Sequence, residues 1–215
     1  MKRKLSAVIL ILALATTLFS CTKPAPETAT QISDGDSVHI KEDFDAMESK
    51  LAEAESATAV SDTDSFTAQL ESSDTDVISY EGNDDVVIDS ANASEKTVDI
   101  STSGSVTLDS PAETLIVNGA EGGFTANAKA ESIILEGTGI TAEINSETGT
   151  ILVKGKDITV NVRNSVVEKI IAVNVSAIIN NLTDTDIFVT LANGTKITVP
   201  SEHTYKVSDN TLQKK

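Results

Sequence analysis

The side chains able to do chemistry are few in this chain, and they are scattered. There is one cysteine, Cys21, and there are two histidines, His39 and His203. A Ser-His-Asp arrangement would have to borrow His203 from the C-terminal tail, because no histidine falls in the central part of the chain. Acidic residues come in close pairs: Asp34/Asp36, Asp62/Asp64, Asp74/Asp76, Asp84/Asp85 and Asp184/Asp186. Such pairs suit calcium, but none follows the twelve-residue calcium loop with its central glycine and final glutamate. The glycine-rich nonapeptide of calcium-binding β-rolls is missing too. Solvated acidic turns are the better reading. Glycoside chemistry needs two carboxyl groups within about 5–10 Å of each other, and Asp109 and Asp157 stand alone. With no tryptophan, and with Tyr80 and Tyr205 far apart, sugar stacking has little to build on. The sequence therefore assigns no catalytic residue, no metal ligand and no cofactor.

What dominates instead is a repeat. From about residue 77, apolar residues return every 18 positions: Ile88, Val106, Phe124, Ala142, Val160, Ile178. Leu108, Ala126, Ile144 and Val162 form a second column. Leu115, Ile133 and Ile151 form a third, with Val98 and Ile170 displaced by one residue. Fixed periodicity of this length is the mark of a solenoid, whose repeats pack only on their neighbours. Ile158-Thr159-Val160-Asn161-Val162 alternates as a half-buried strand should. Two strands per period, stacked in parallel at about 4.8 Å, give six coils on the order of 29 Å tall. A three-sided hexapeptide helix would need an apolar column every six residues. Counting on from Ile116, Ile134 and Leu152 reaches Ala128, Ser146 and Asn164, so the third side fails. A two-sided or irregular right-handed coil fits better.

Turns and ends agree with that register. Gly119, Gly137 and Gly155 are expected to leave a strand with positive φ. Asp109, Asn127, Asn145, Arg163 and Asn181 form a second turn column rich in residues that tolerate left-handed backbone. Asp64 or Ser65 caps a short helix running to Glu71, with Phe66 and Leu70 on one face as a lid over the first coil. At the other end Ile187–Leu191 and Lys196–Val199 flank an Asn-Gly turn, a strong hairpin signal. In repeat architecture, over about half its length, the chain resembles the bacterial parallel β-helix repeat proteins. The expected fold is all-β: a single-stranded parallel β-helix of about six 18-residue coils, with a helical cap and a hairpin cap.

The N-terminus reads as an address. Lys2, Arg3 and Lys4 precede the uncharged apolar run Leu5–Leu18, too short and wrongly flanked for a membrane span. Leu18-Phe19-Ser20-Cys21 resembles the lipobox of bacterial lipoproteins. That resemblance implies cleavage before Cys21, a diacylglyceryl group on its thiol, an acyl chain on its new amino group, and stable attachment to a membrane. Thr22, in place of the aspartate that retains enteric lipoproteins at the inner membrane, leans towards the outer membrane or the surface. The chain then divides into a signal peptide (1–20), an acidic tether with a short helix at 42–57 (21–60), the solenoid with its caps (61–205) and a polar tail (206–215).

Charge narrows the partners. Residues 22–95 hold 19 acids and 3 bases, residues 96–215 hold 14 and 10. No basic patch exists to neutralise phosphates, which argues against nucleic acid. Short turns leave little from which to build a catalytic groove. The sequence expectation is a monomeric, non-catalytic, lipid-anchored envelope scaffold that meets a protein or glycan partner. A glycan-active enzyme or glycan-binding module of the parallel β-helix class is the alternative.

Overall fold

In the computed structural model, residues 34–163, 166–173, 176–208 and 211–215 are described. The expected signal peptide and Cys21 lie outside them. Six coils stack in order, each with one strand in each of two facing sheets. They are β1 (Val77–Gly82) with β2 (Val86–Ile88), β3 (Thr97–Thr102) with β4 (Val106–Leu108), and β5 (Ala112–Ala120) with β6 (Phe124–Ala126). Next come β7 (Ala130–Leu135) with β8 (Thr141–Ile144), β9 (Thr148–Val153) with β10 (Ile158–Val162), and β11 (Val167–Ala172) with β12 (Ala177–Asn181). After them, β13 (Ile187–Leu191) pairs in parallel with β11, and β14 (Lys196–Val199) returns antiparallel to β13. The second sheet ends in β15 (Thr204–Ser208), antiparallel to β12, and β16 (Thr211–Lys214), antiparallel to β15. The chain is a two-sided β-solenoid of about six turns.

Stacking fixes the core. Ile78, Val98, Leu115, Ile133, Ile151, Ile170 and Val189 form one continuous inward column. Facing it run Val86, Val106, Phe124, Ala142, Val160 and Ile179. All of these side chains are buried, and burial of this apolar surface is the main force holding the coils together. Departures from the 18-residue count shift the expected columns, and two of them matter most. A 3₁₀ turn at Ala91–Glu95 lengthens the first coil to 20 residues, so Ile88 stacks on Leu108 and not on Val106. One extra residue between Val160 and Ile170 makes Ile179, not Ile178, the neighbour of Val160; Ile178 stands on the outer side.

The glycine column has a different cause from the one expected. Gly119, Gly137 and Gly155 do not have positive φ; Gly123, Gly139 and Gly194 do. A Cβ at Gly137 would fall 2.3 Å from the Asn118 carbonyl oxygen, and one at Gly155 would fall 1.8 Å from that of Gly137. Close approach of one coil's backbone to the next is what excludes a side chain there. Upstream, Ile100 pairs with Val117 and Ser101 with Gly119, which leaves Asn118 as a bulge.

Both ends are closed. Helix α2 (Thr63–Glu71) is capped by Asp62, whose carboxylate accepts from the Ser65 amide at 2.8 Å; the expected cap was Asp64 or Ser65. It buries Phe66 and Leu70, and Phe66 meets Tyr80 edge-on at 5.5 Å between ring centroids. The ammonium of buried Lys96 bonds the Ser72 and Thr75 carbonyls, neutralising the end of that helix. Val60 bridges to β1 and satisfies part of its free edge. At the far end antiparallel strands replace the parallel ladder. Residues 206–215, expected as a polar tail, carry β16 and most of β15, because Tyr205 and Val207 bury against the last coil.

The largest addition is helix α1 (Asp34–Glu55). The sequence suggested a short surface helix at 42–57; the structure lays a longer helix along the stack. Phe44, Met47, Leu51 and Ala54 pack on Ile116, Ile134, Leu152 and Ile171, which point outward from the first sheet. The fit follows from spacing. Four helical residues at three- and four-residue intervals span about 15 Å, and four strand rungs span about 14 Å.

Candidate functional site

The solenoid has two broad outer faces, and they differ. The face carrying Ile116, Ile134, Leu152 and Ile171 is covered by α1 and pinned by ion pairs. Lys154 meets Glu48 at 2.8 Å and Glu136 at 3.1 Å, Lys50 meets Glu113 at 3.4 Å, and Lys169 meets Asp43. Burial of the Lys154 ammonium opposes its charge, but the two carboxylates outweigh that and its pKa ends up raised. Sequence reasoning missed this face. The available signal was the outward column Ile116–Ile134–Leu152 itself, since an apolar rung on the outside of a sheet requires a cover.

The opposite face is bare: neither described helix packs on it. Its outward residues form ladders along the stack. One runs Val87, Thr107, Thr125, Glu143, Asn161 and Asn180, the other Thr141, Thr159 and Ile178. The alternation of Ile158–Val162 puts Thr159 and Asn161 on the side opposite Val160, and the structure places both on this outer face. The Asn161 amide donates to Glu143 at 2.6 Å, and Asn180 donates to Asn161 at 2.5 Å. Arg163 donates to the other Glu143 oxygen and, with Asn161, holds that carboxyl below its usual range despite partial burial. The result is a flat, prearranged array of donors and acceptors.

The turn column works in a related way. Asn127 donates to Asp109 at 2.8 Å and Asn145 donates to Asn127 at 3.0 Å, so these amides stitch coil to coil. No residue of that column has left-handed backbone. Asn181 leaves the column because of the extra residue in its coil. It sits beneath Val162, buried, donating to Thr185 and Val199 carbonyls and accepting from Thr183. It ties the last turn to β14.

Several of the acids weighed for chemistry serve local structure instead. Asp85 accepts from the Ser105 amide and hydroxyl, which holds its carboxyl below the usual range. Asp186 accepts from the Ser201 amide, and Asp109 serves the ladder above. Asp157 is exposed with φ of 55°. His203 meets the Ser201 carbonyl at 2.7 Å, and His39 lies in α1. Among the described residues no three metal-ligating groups come together.

One carboxyl stands apart. Asp99 lies under the C-terminal end of α1 and is only 8 % exposed. Burial pushes its pKa up to about 6, against hydrogen bonds from the Ser79 hydroxyl and from Asn118, the bulged residue, and with help from Glu136 and Glu55. A carboxyl whose folded pKa lies above its unfolded value of 3.8 binds a proton more readily when folded. It therefore weakens the fold progressively as pH rises from about 4 to about 6, and the full cost is present above that. Asp99→Asn should raise the melting temperature at pH 8, by an effect on the order of 2 kcal/mol, and the difference from the native chain should vanish near pH 4. Thermal unfolding across that range measures it.

Comparison with family models, curated proteins and solved structures finds no match to this chain.

Proposed function

We propose that this chain is a non-catalytic scaffold of the bacterial cell envelope, anchored through lipid on Cys21 and presenting its bare sheet face to a partner. The observation that carries the reading is the asymmetry of the two outer faces: one is sealed by α1, while the other offers an ordered polar ladder from Thr107 to Asn180. Extended flat surfaces of this kind are what solenoids lend to recognition. Scaffolding also agrees with acids bound up in caps and turns rather than gathered beside a groove. A monomer fits ends closed by α2, Val60 and antiparallel strands, since open parallel edges pair between molecules.

The anchor rests on the lipobox-like Leu18-Phe19-Ser20-Cys21. Cys21→Ser should abolish fatty-acid labelling and move the protein from the detergent phase to the aqueous phase. Unchanged partitioning of that variant removes the lipoprotein assignment.

A further inference from the structure

We propose that the C-terminal turn of α1 is an acid-dependent clasp, seated on the first sheet while the Asp99 carboxyl is protonated and released when it ionises. Ion pairs fix the direction of the helix. Asp43 meets Lys169 in the sixth coil, Glu48 meets Lys154 in the fifth, and Lys50 meets Glu113 in the third. The last turn, residues 52–55, therefore lies towards β3 and β1. The outward row beneath the helix changes character there. Ile171, Leu152, Ile134 and Ile116 are apolar, and the next two rungs are Asp99 and Ser79. An aliphatic side chain in place of Asp99 would carry the seal to the end of the helix. A carboxyl makes that last part of the seal depend on a proton.

The surroundings favour the neutral acid. Helix α1 contributes Glu55, and its last turn also holds Glu53 and no base, at the negative end of the helix dipole. The end of β7 contributes Glu136, which shares Lys154 with Glu48. From β1 comes the Ser79 hydroxyl at 3.3 Å, while Glu81 of that strand is exposed; from β5 comes the Asn118 amide at 2.8 Å. Among the described residues no cation forms an ion pair with Asp99. Releasing the turn returns the carboxyl to water and lets its pKa fall from about 6 towards 3.8. Seating is therefore complete below about pH 4 and weakens up to about pH 6. Above that the opening equilibrium is larger by a factor of up to about a hundred. The motion is confined to one turn. Glu48 and Asp43 hold the helix on one side, and Val60, bonded to β1, holds the chain on the other. A buried acid with no clasp role lowers stability throughout the fold and predicts no local opening.

Hydrogen exchange of the full chain, read by mass spectrometry near pH 4 and near pH 8 and corrected for intrinsic exchange rates, separates the two. Amides of residues 52–57 should lose about ten- to a hundredfold of their protection at the higher pH, while those of β9 and β10 keep theirs. Asp99→Asn removes the titration, and Asp99→Leu continues the apolar row. Each should hold the turn at its acid-state protection at both pH values. Equal protection of the native turn at the two pH values overturns the proposal. So does a response that survives both substitutions, or a loss shared equally by β9 and β10.

Discussion

Gly155→Ala is expected to cost about 3 kcal/mol or more, lowering the melting temperature by roughly 6–12 °C for a domain of this size. The added Cβ would fall 1.8 Å from the Gly137 carbonyl oxygen and 2.6 Å from that of Glu136. These are backbone atoms in the adjacent coil, so no flexible side chain can swing away. Relief requires the coils to separate where Leu135 and Val153 stack. Gly139→Ala isolates the other glycine effect. Nothing lies within 4 Å of its Cβ position, but its φ is +77°, and that conformation costs an alanine about 1 kcal/mol. Gly119→Ala, at 3.3 Å from the Thr102 carbonyl, should fall between no effect and that of Gly155. Thermal unfolding of the three variants checks the order. A Gly155→Ala protein as stable as Gly139→Ala would show that the coils do not approach as described.

Val160→Asp should be at least as damaging. Val160 is fully buried between Ala142 and Ile179 on the inner side of its sheet. A carboxylate there would lie in the thin core with no cation beside it, a change that costs about 3–5 kcal/mol. Thr159, the next residue, stands on the bare outer ladder between Thr141 and Ile178. Thr159→Asp should stay within about 1 kcal/mol of the native chain. Comparable losses for the two variants in chemical denaturation would show that the strand faces are reversed.

The coils were legible because their signal is local and repeated. Val106, Phe124, Ala142 and Val160 keep their spacing, and strict alternation separates Val160 from Thr159. Single insertions broke the reading. The 3₁₀ turn at Ala91–Glu95 sets the first coil out of step with those that follow, and the extra residue after Val160 shifts the rungs beyond it; neither leaves a mark in composition. Glycine was read as a source of positive φ at 119, 137 and 155. Contact between neighbouring backbones is a tertiary fact that turn chemistry cannot supply. Helix α1 was half visible. The short helix was expected, but Ile116, Ile134 and Leu152 served only to count hexapeptides and were not read as an outward column, and their match in length to the helix appears only when strand spacing is set against helical rise. Asp99 was not singled out, because its environment is assembled from Ser79, Asn118, Glu136 and Glu55. The bare face was found by alternation alone, since an outward residue is defined by its inward neighbours.

The most direct measurement of the scaffold reading is site-specific photocrosslinking in intact cells. A photoreactive residue at Thr125, in the middle of the bare ladder, should yield a discrete adduct with an envelope component. One at Ile134, covered by α1, should crosslink only within the chain. No adduct at Thr125, with purified protein that cleaves envelope polysaccharide, would contradict the scaffold and establish an enzyme in its place.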